Sequence, residues 1–248
     1  MKTHLLLDIE GTTCPTSFVS NVLFPYAKDH LRGFISNNIA SNNVADILLE
    51  TEREWSIDND PLSIELKTKC QQQHLSGHEA LIQYLHLLIN QDRKSTSLKD
   101  LQGLIWDQGY AKRELQVELF PEAAGCLKEW SKAGMVLSVY SSGSIKAQKL
   151  LYRYTTSGDL TQLFSKWFDT HTGPKKNSSS YTKIVNALQT QADQIWFVSD
   201  NGAECDAAKF AGLKTLFSLR AGNPDQNPRG HAVIHSLTEV TQRIKETQ

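Results

Sequence analysis

The sequence predicts an α/β protein, a parallel sheet with a long helical segment inserted after its first strand. Two observations carry this. Short apolar runs stop abruptly at polar residues: Leu5-Leu6-Leu7 before Asp8, Val136-Leu137-Ser138-Val139-Tyr140 before Ser141, Trp167-Phe168 before Asp169, and Ile195-Trp196-Phe197-Val198-Ser199 before Asp200. Buried strands of parallel sheets read this way. Between the first two runs, residues 15–120 carry helical periodicity and few strand signals, most clearly around Val44 to Leu49 and Leu81 to Ile89.

The first run carries the most chemistry. Ligands of parallel sheets bind beyond the carboxyl ends of the strands, so Asp8 stands where a carboxylate nucleophile can be presented to a phosphate. Glu10 follows two positions later and points to the same side if the extended geometry persists, while Gly11 allows a sharp turn into Thr12-Thr13. Two converging acids suit a hard divalent cation such as magnesium. A strand that merely ends in polar residues and a turn would give the same short string.

The second run ends in Ser141-Ser142-Gly143-Ser144, where hydroxyls and backbone N–H groups suit phosphate oxygens; the same residues also read as a helix N-cap before Ile145. The third leads into Thr170-His171-Thr172-Gly173-Pro174-Lys175-Lys176, in which a lysine can neutralise phosphoryl charge or simply be solvated. The fourth ends at Asp200, a further oxygen ligand for a cation facing Asp8 or the first residue of an Asp-Asn-Gly turn, with Glu204 and Asp206 beyond it. Asp206 also reads as a first-turn helix acid. Acid, hydroxyl, lysine and acid at four strand ends, in that order, form a far more specific set than any one member. Lys214 to Leu219 reads as the last strand of the sheet, and the Gly/Pro/Asn-rich tract at 222–230 as a surface loop.

This ordered set resembles the haloacid dehalogenase (HAD) superfamily, with Glu10 in place of that superfamily's usual second Asp. Asp8-Ile9-Glu10-Gly11-Thr12-Thr13, Phe18, Phe24-Pro25-Tyr26, Ile105-Trp106 with Gly109-Tyr110, Tyr140-Ser141-Ser142-Gly143-Ser144, Phe168-Asp169-Thr170 and Ser180-Tyr181 with Lys183-Ile184 resemble its enolase-phosphatase (acireductone synthase) family of methionine salvage. Arg113 stands where the resemblance leads one to expect a small residue.

The resemblance implies a Rossmann-like parallel-sheet HAD core, residues 1–14 and 121–248, and an inserted α-helical cap, residues 15–120. It makes Asp8 the nucleophile and a magnesium ligand, Glu10 a second metal-associated or acid–base carboxylate, and Asp200 the distal ligand of one Mg2+ per subunit, supported by Glu204. Ser141 and Ser142 would bind the phosphate, and spacing within the family favours Lys175 over Lys176 as their partner. The implied reaction of this phosphoric monoester hydrolase enolises 2,3-diketo-5-methylthiopentyl 1-phosphate, then hydrolyses it through an aspartyl phosphate to acireductone. The alternatives are a HAD phosphatase for another small phosphate ester and, against the intact acid set, a non-catalytic binding domain.

Composition fits without deciding. The chain has 248 residues, of which 40% are hydrophobic, enough for a sizeable core, and a net charge of −1 gives no electrostatic case for nucleic acid or membrane surfaces. No signal pattern or membrane-length apolar run is present, so a cytoplasmic protein is expected, monomeric in the absence of heptads. Cys14, Cys70, Cys126 and Cys205 lack metal spacing and suit a reducing compartment; Cys14 is expected to be a packing residue. His74, His78 and His86 are read as ordinary surface or half-buried histidines and the five tryptophans as packing, with Trp106 a candidate for lining the substrate pocket. The segment 90–97 is expected to be a polar loop within the helical insert.

Overall fold

The computed structural model describes residues 2–93 and 95–246. The chain divides into two compact units, Met1–Val19 with Leu115–Gln248, and Ser20–Glu114. These junctions fall a few residues inside the expected 15–120 segment for a physical reason. The Thr16 hydroxyl donates to Gly222 O at 3.4 Å, Val117 N to Tyr154 O at 2.9 Å and Phe120 N to Thr13 O at 3.0 Å, which ties both flanks to the sheet-bearing unit.

In chain order, β1 (His4–Leu7) is followed by the single turn α1 (Thr16–Phe18) and a π-helical turn (Val19–Leu23). The helical unit contains α2 (Phe24–Asn38), α3 (Asn42–Ser56), α4 (Pro61–Gln72), α5 (Gly77–Asn90) and α6 (Thr96–Ala111). The chain then forms α7 (Ala123–Lys132), β2 (Val136–Tyr140), α8 (Ile145–Arg153), β3 (Phe164–Phe168), α9 (Ser178–Leu188), β4 (Ile195–Ser199), α10 (Gly202–Phe210), β5 (Lys214–Ser218), β6 (Ala232–Ile234) and α11 (Val240–Glu246).

The strands form one parallel sheet in the order β3-β2-β1-β4-β5-β6. β1 is central because Leu5, Leu6 and Leu7 are fully buried, with no polar face to offer water. Leu7 pairs with Val139 on one side and Val198 on the other, so Asp8, Tyr140 and Ser199 stand level just beyond or at the strand ends. The chain winds outward in opposite directions on the two sides of β1, which makes its carboxyl end the switch point where α/β folds bind ligands. Tyr140, Phe168, Tyr181, Ile184, Phe197, Cys205 and Phe217 pack into a core beside β1 and β4. β6 is a strand the sequence did not announce, since only Ala232, Val233 and Ile234 extend after a turn-rich tract.

In the helical unit, the predicted runs at Val44 and Leu81 lie in α3 and α5. Their buried faces meet Leu31, Ile35, Leu101 and Ile105 in a separate core, where Trp55 stacks on Tyr84 at 4.8 Å. Asp60, Ser76 and Ser95 cap α4, α5 and α6 with side-chain oxygens, so each helix starts at a residue that satisfies otherwise orphaned N–H groups. The expected polar loop at 90–97 is more built than a solvated linker: Ser95 and Ser97 both donate to Glu54, and Arg93 pairs with Asp58 at 2.8 Å. Lys94, within that loop, lies outside the described residues. Arg113 follows α6 with φ +62°, a left-handed conformation that favours glycine. Among the described residues, no helix is long and apolar enough to cross a membrane.

Candidate active site

The site begins where β1 stops. Asp8 still donates its N–H to Val198 O at 2.9 Å, but its own Oδ1 accepts from Ile9 N at 2.8 Å, and the chain turns away from the strand. Thr12, Thr13 and Cys14 all donate N–H groups to Ile9 O, and Glu10 bridges to Cys14. Glu10 therefore belongs to a closed loop rather than to an extension of β1. At φ +68°, Gly11 is the pivot: a Cβ there would collide with the Asp200 carboxylate and lie 2.8 Å from Asn223 Nδ2.

Lys175 reaches this loop from the segment after β3. Its Nζ lies 2.7 Å from Asp8 Oδ1 and 2.7 Å from Glu204 Oε2, with its side chain 9% exposed. Lys176 is exposed. The choice between adjacent lysines is made by buried anchors. The Tyr181 hydroxyl donates to Lys175 O at 2.7 Å, the Ser180 hydroxyl to Pro174 O at 2.8 Å, and the Tyr140 hydroxyl to Gly173 O at 2.9 Å.

Ser199, fully buried at the end of β4, donates toward Asp8 Oδ2 at 3.1 Å and toward Glu204 Oε2 at 3.0 Å. Asp8, Lys175, Glu204 and Ser199 thus close a ring in which both oxygens of Asp8 are engaged. A single hydroxyl proton serves one carboxylate at a time, so Ser199 donates either to Asp8 or to Glu204. The Glu204 carboxylate is occupied by Lys175 and Ser199. Ser199 was not anticipated; the available signal was a lone hydroxyl closing an otherwise apolar strand.

Electrostatics follow from burial. Desolvation works against charge on Lys175, but Asp8 and Glu204 more than offset it and hold the ammonium above the usual lysine range. Burial, reinforced by Asp8, raises the Glu204 carboxyl and pushes Asp200 up to about 8, with Glu204 and Glu10 adding to the repulsion at Asp200. One ammonium therefore faces a surplus of carboxylates. Cys14 is no rival nucleophile, because burial and then Glu10 push its thiol up to about 12. The other cysteines are buried and free.

That surplus tests whether a cation belongs here. The unneutralised groups are hard oxygen donors on two adjacent loops, and Gly11 keeps the space against Asp200 clear of side chain, so the residues fit magnesium. Among the described residues, no three His, Cys, Asp or Glu side chains already converge as a metal cluster. The available set is therefore Asp8 and Asp200 completed by main chain or carboxylate at Glu10. In the helical unit, His74 and His78 are exposed, and His86 is half-buried in α5.

Ser141 is buried one residue beyond β2, just past Tyr140, which stands level with Asp8, and its hydroxyl accepts Gly143 N at 3.2 Å. Ser142 beside it is exposed. Ser144 caps α8, so the cap reading and an anion-facing turn coexist in one segment. Asp169, at the end of β3, is spent on Ile145 N and His171 N. Asp206 lies past the first turn of α10 and pairs with Arg229 and with His231.

A model of the haloacid dehalogenase-like hydrolases matches residues 3–212. Enolase-phosphatase E1 of Synechococcus sp. strain CC9605 is 56% identical over 96% of both chains, and that of Parasynechococcus marenigrum strain WH8102 is 55% identical over 98% of this chain and 99% of its own. The chain belongs to the enolase-phosphatase family of HAD hydrolases. Among solved structures, the UTR4 protein of Saccharomyces cerevisiae superposes with a TM-score of 0.75 at 31% identity, covering 95% of this chain and 98% of its own. CbbY of Rhodobacter sphaeroides shares the fold, with a TM-score of 0.57 at 18% identity over 96% of each chain. Family membership thus agrees with the expectation drawn from Asp8-Ile9-Glu10-Gly11-Thr12-Thr13 and the later strand ends.

Proposed function

We propose that this enolase-phosphatase acts on 2,3-diketo-5-methylthiopentyl 1-phosphate, enolising it and then hydrolysing the enol phosphate to acireductone through a phosphorylated Asp8. The observation that carries the phosphatase step is the pairing of Asp8 with Lys175 at 2.7 Å beyond the central strand. The names of the relatives support the enolase step.

Asp8 and Asp200, with the main chain or carboxylate at Glu10, would hold one Mg2+. When bound, the ion supplies positive charge that lowers repulsion between carboxylate and phosphate and stabilises a developing enolate. The chain's own groups do the rest. Asp8 attacks phosphorus in line; the bond from phosphorus to the substrate oxygen breaks, and that oxygen leaves with its electron pair and takes a proton from solvent, which the attacking water of the next step returns. Lys175 turns from its carboxylate partners to the phosphoryl oxygens, while Ser141 and the N–H groups of the following turn bind the others; exposed Ser142 adds a second hydroxyl. Water then attacks phosphorus, releasing phosphate and restoring Asp8. Enolisation needs a base beside the carbonyl carbon, and Glu10 is the acid of the same loop available for it. The helical unit takes the part of the family's cap. A cytoplasmic, monomeric enzyme fits four free buried cysteines.

The test is ultraviolet absorbance with the diketone phosphate and magnesium, run beside phosphate release, for the wild type, Asp8→Asn and Glu10→Gln. Magnesium-dependent enol absorbance and phosphate release, with phosphate lost in Asp8→Asn, is the expected result. Loss of enol formation in Glu10→Gln with retained hydrolysis of a simple phosphate ester would assign the base. Turnover of simple esters without turnover of the diketone would overturn the substrate and leave a phosphatase of another ester.

A further inference from the structure

The tract after β5 was expected to be a surface loop, yet Asn223 is buried at 6% exposure. Its Nδ2 donates to Gly11 O at 2.9 Å and to Ser218 O at 3.1 Å. Both neighbours are carbonyl oxygens, so only the NH2 of the amide can face them, and both of its protons are used. The Ser218 hydroxyl adds a second donor to Gly11 O at 2.9 Å. Two residues further on, Asp225 Oδ2 accepts Gly202 N at 2.9 Å, the first N–H of the helix that follows Asp200. Gly202 is needed there, because a Cβ would lie 2.5 Å from Arg229 Cδ and 2.8 Å from Asn227 O.

We propose that Asn223 and Asp225 are positioning residues: the tract they anchor braces the Asp8–Gly11 loop against the Asp200–Gly202 loop and sets the separation of the acids on each. One short segment grips both loops through different side chains, and the two loops meet at Gly11 and Asp200 with no room for a methyl group. The Asn223 amide N and Asp225 Oδ2 are engaged by main-chain groups. Their effect is exerted through Gly11 O and Gly202 N. The brace rests on the magnesium reading above, because the separation it fixes is that of the cation's carboxylates.

The experiment is calorimetric titration of the full-length protein with Mg2+, paired with kcat and KM on a phosphate ester and a melting curve without metal. Asn223→Asp keeps the shape but sets a carboxylate against two carbonyls. It is expected to weaken Mg2+ binding tenfold or more and to lower kcat, with KM within twofold. Asp225→Ala should weaken Mg2+ binding at least threefold, while Asp225→Asn, which keeps an acceptor for Gly202 N, should stay within twofold of wild type. The Asp225 pair decides the matter if Asn223→Asp fails to fold. Unchanged Mg2+ affinity in folded Asn223→Asp, or equal affinities for Asp225→Ala and Asp225→Asn, would overturn the brace. A wild type that binds no Mg2+ would overturn the cation reading itself.

Discussion

Tyr181 donates its hydroxyl to the main-chain carbonyl of Lys175 at 2.7 Å, so the lysine that meets Asp8 is tethered by a fully buried aromatic in the sheet core. Tyr181 also packs edge-on against Tyr140, whose hydroxyl holds Gly173 O, giving the loop two points of attachment. Removing one leaves the ring in place but frees the backbone that aims the ammonium. Tyr181→Phe should cost about 1 kcal/mol in stability, and kcat should fall roughly tenfold through misplacement of Lys175. Thermal melts and steady-state kinetics check both; a full-speed enzyme would mean that the tether does not steer Lys175.

Lys175 itself is the positive member of a buried ring with two carboxylates. Lys175→Met leaves Asp8 and Glu204 facing one another without a counter-charge, so metal-free protein should lose about 3 kcal/mol. Phosphate release should drop by roughly two to three orders of magnitude. Urea unfolding with and without magnesium separates the effects, because added cation should recover part of the lost stability and little of the activity.

Gly11→Ala combines a left-handed backbone with a methyl group driven into the Asp200 carboxylate and Asn223. The expected cost is at least about 1 kcal/mol from the backbone alone, with activity down more than roughly 100-fold from displacement of the acids. Wild-type activity in this variant would show that the two loops are not held as close in solution.

In the helical unit, Asp58 accepts from Ser63 and Tyr84 and pairs with Arg93. Burial opposes its charge, but Arg93, Ser63, the Asp60 N–H and Tyr84 together prevail and hold its carboxyl well below the usual range. The unfolded chain therefore binds the extra proton first on acidification. This contribution is complete above about pH 4 and is lost as pH falls below it. Asp58→Asn should destabilise α3 to α5 by about 2 kcal/mol at neutral pH and flatten their acid sensitivity, read by amide hydrogen exchange at pH 7 and pH 3.

The strand ends were legible because burial on both faces leaves a parallel strand no choice but continuous apolar residues, and the run breaks into polar residues at Asp8, Ser141 and Asp200. Lys175 and Lys176 are chemically equal as letters, and only spacing within the family favoured Lys175; the anchors at Tyr140, Ser180 and Tyr181 hold its segment. What stayed hidden was set by contacts distant in sequence. Ser199 reads as a strand residue until Asp8 and Glu204 are seen on either side of it. Asn223 looked like a loop residue because turn-forming tracts are usually solvated, and three residues of β6 are too few to give a period. Glu204 was placed as support for Asp200, whereas its carboxylate serves Lys175 and Ser199.

The insertion of five helices between β1 and β2 also governs how the chain assembles. His4 pairs with Val136 and with Ile195, so the strand that leads to Asp8 leaves the ribosome long before either neighbour exists. Helices α2 to α6 make mostly local contacts and gain their own core during that wait, whereas Leu5, Leu6 and Leu7 remain an unpaired apolar edge. That leucine run therefore waits longer for its first partner than any other strand of the sheet while the chain is made.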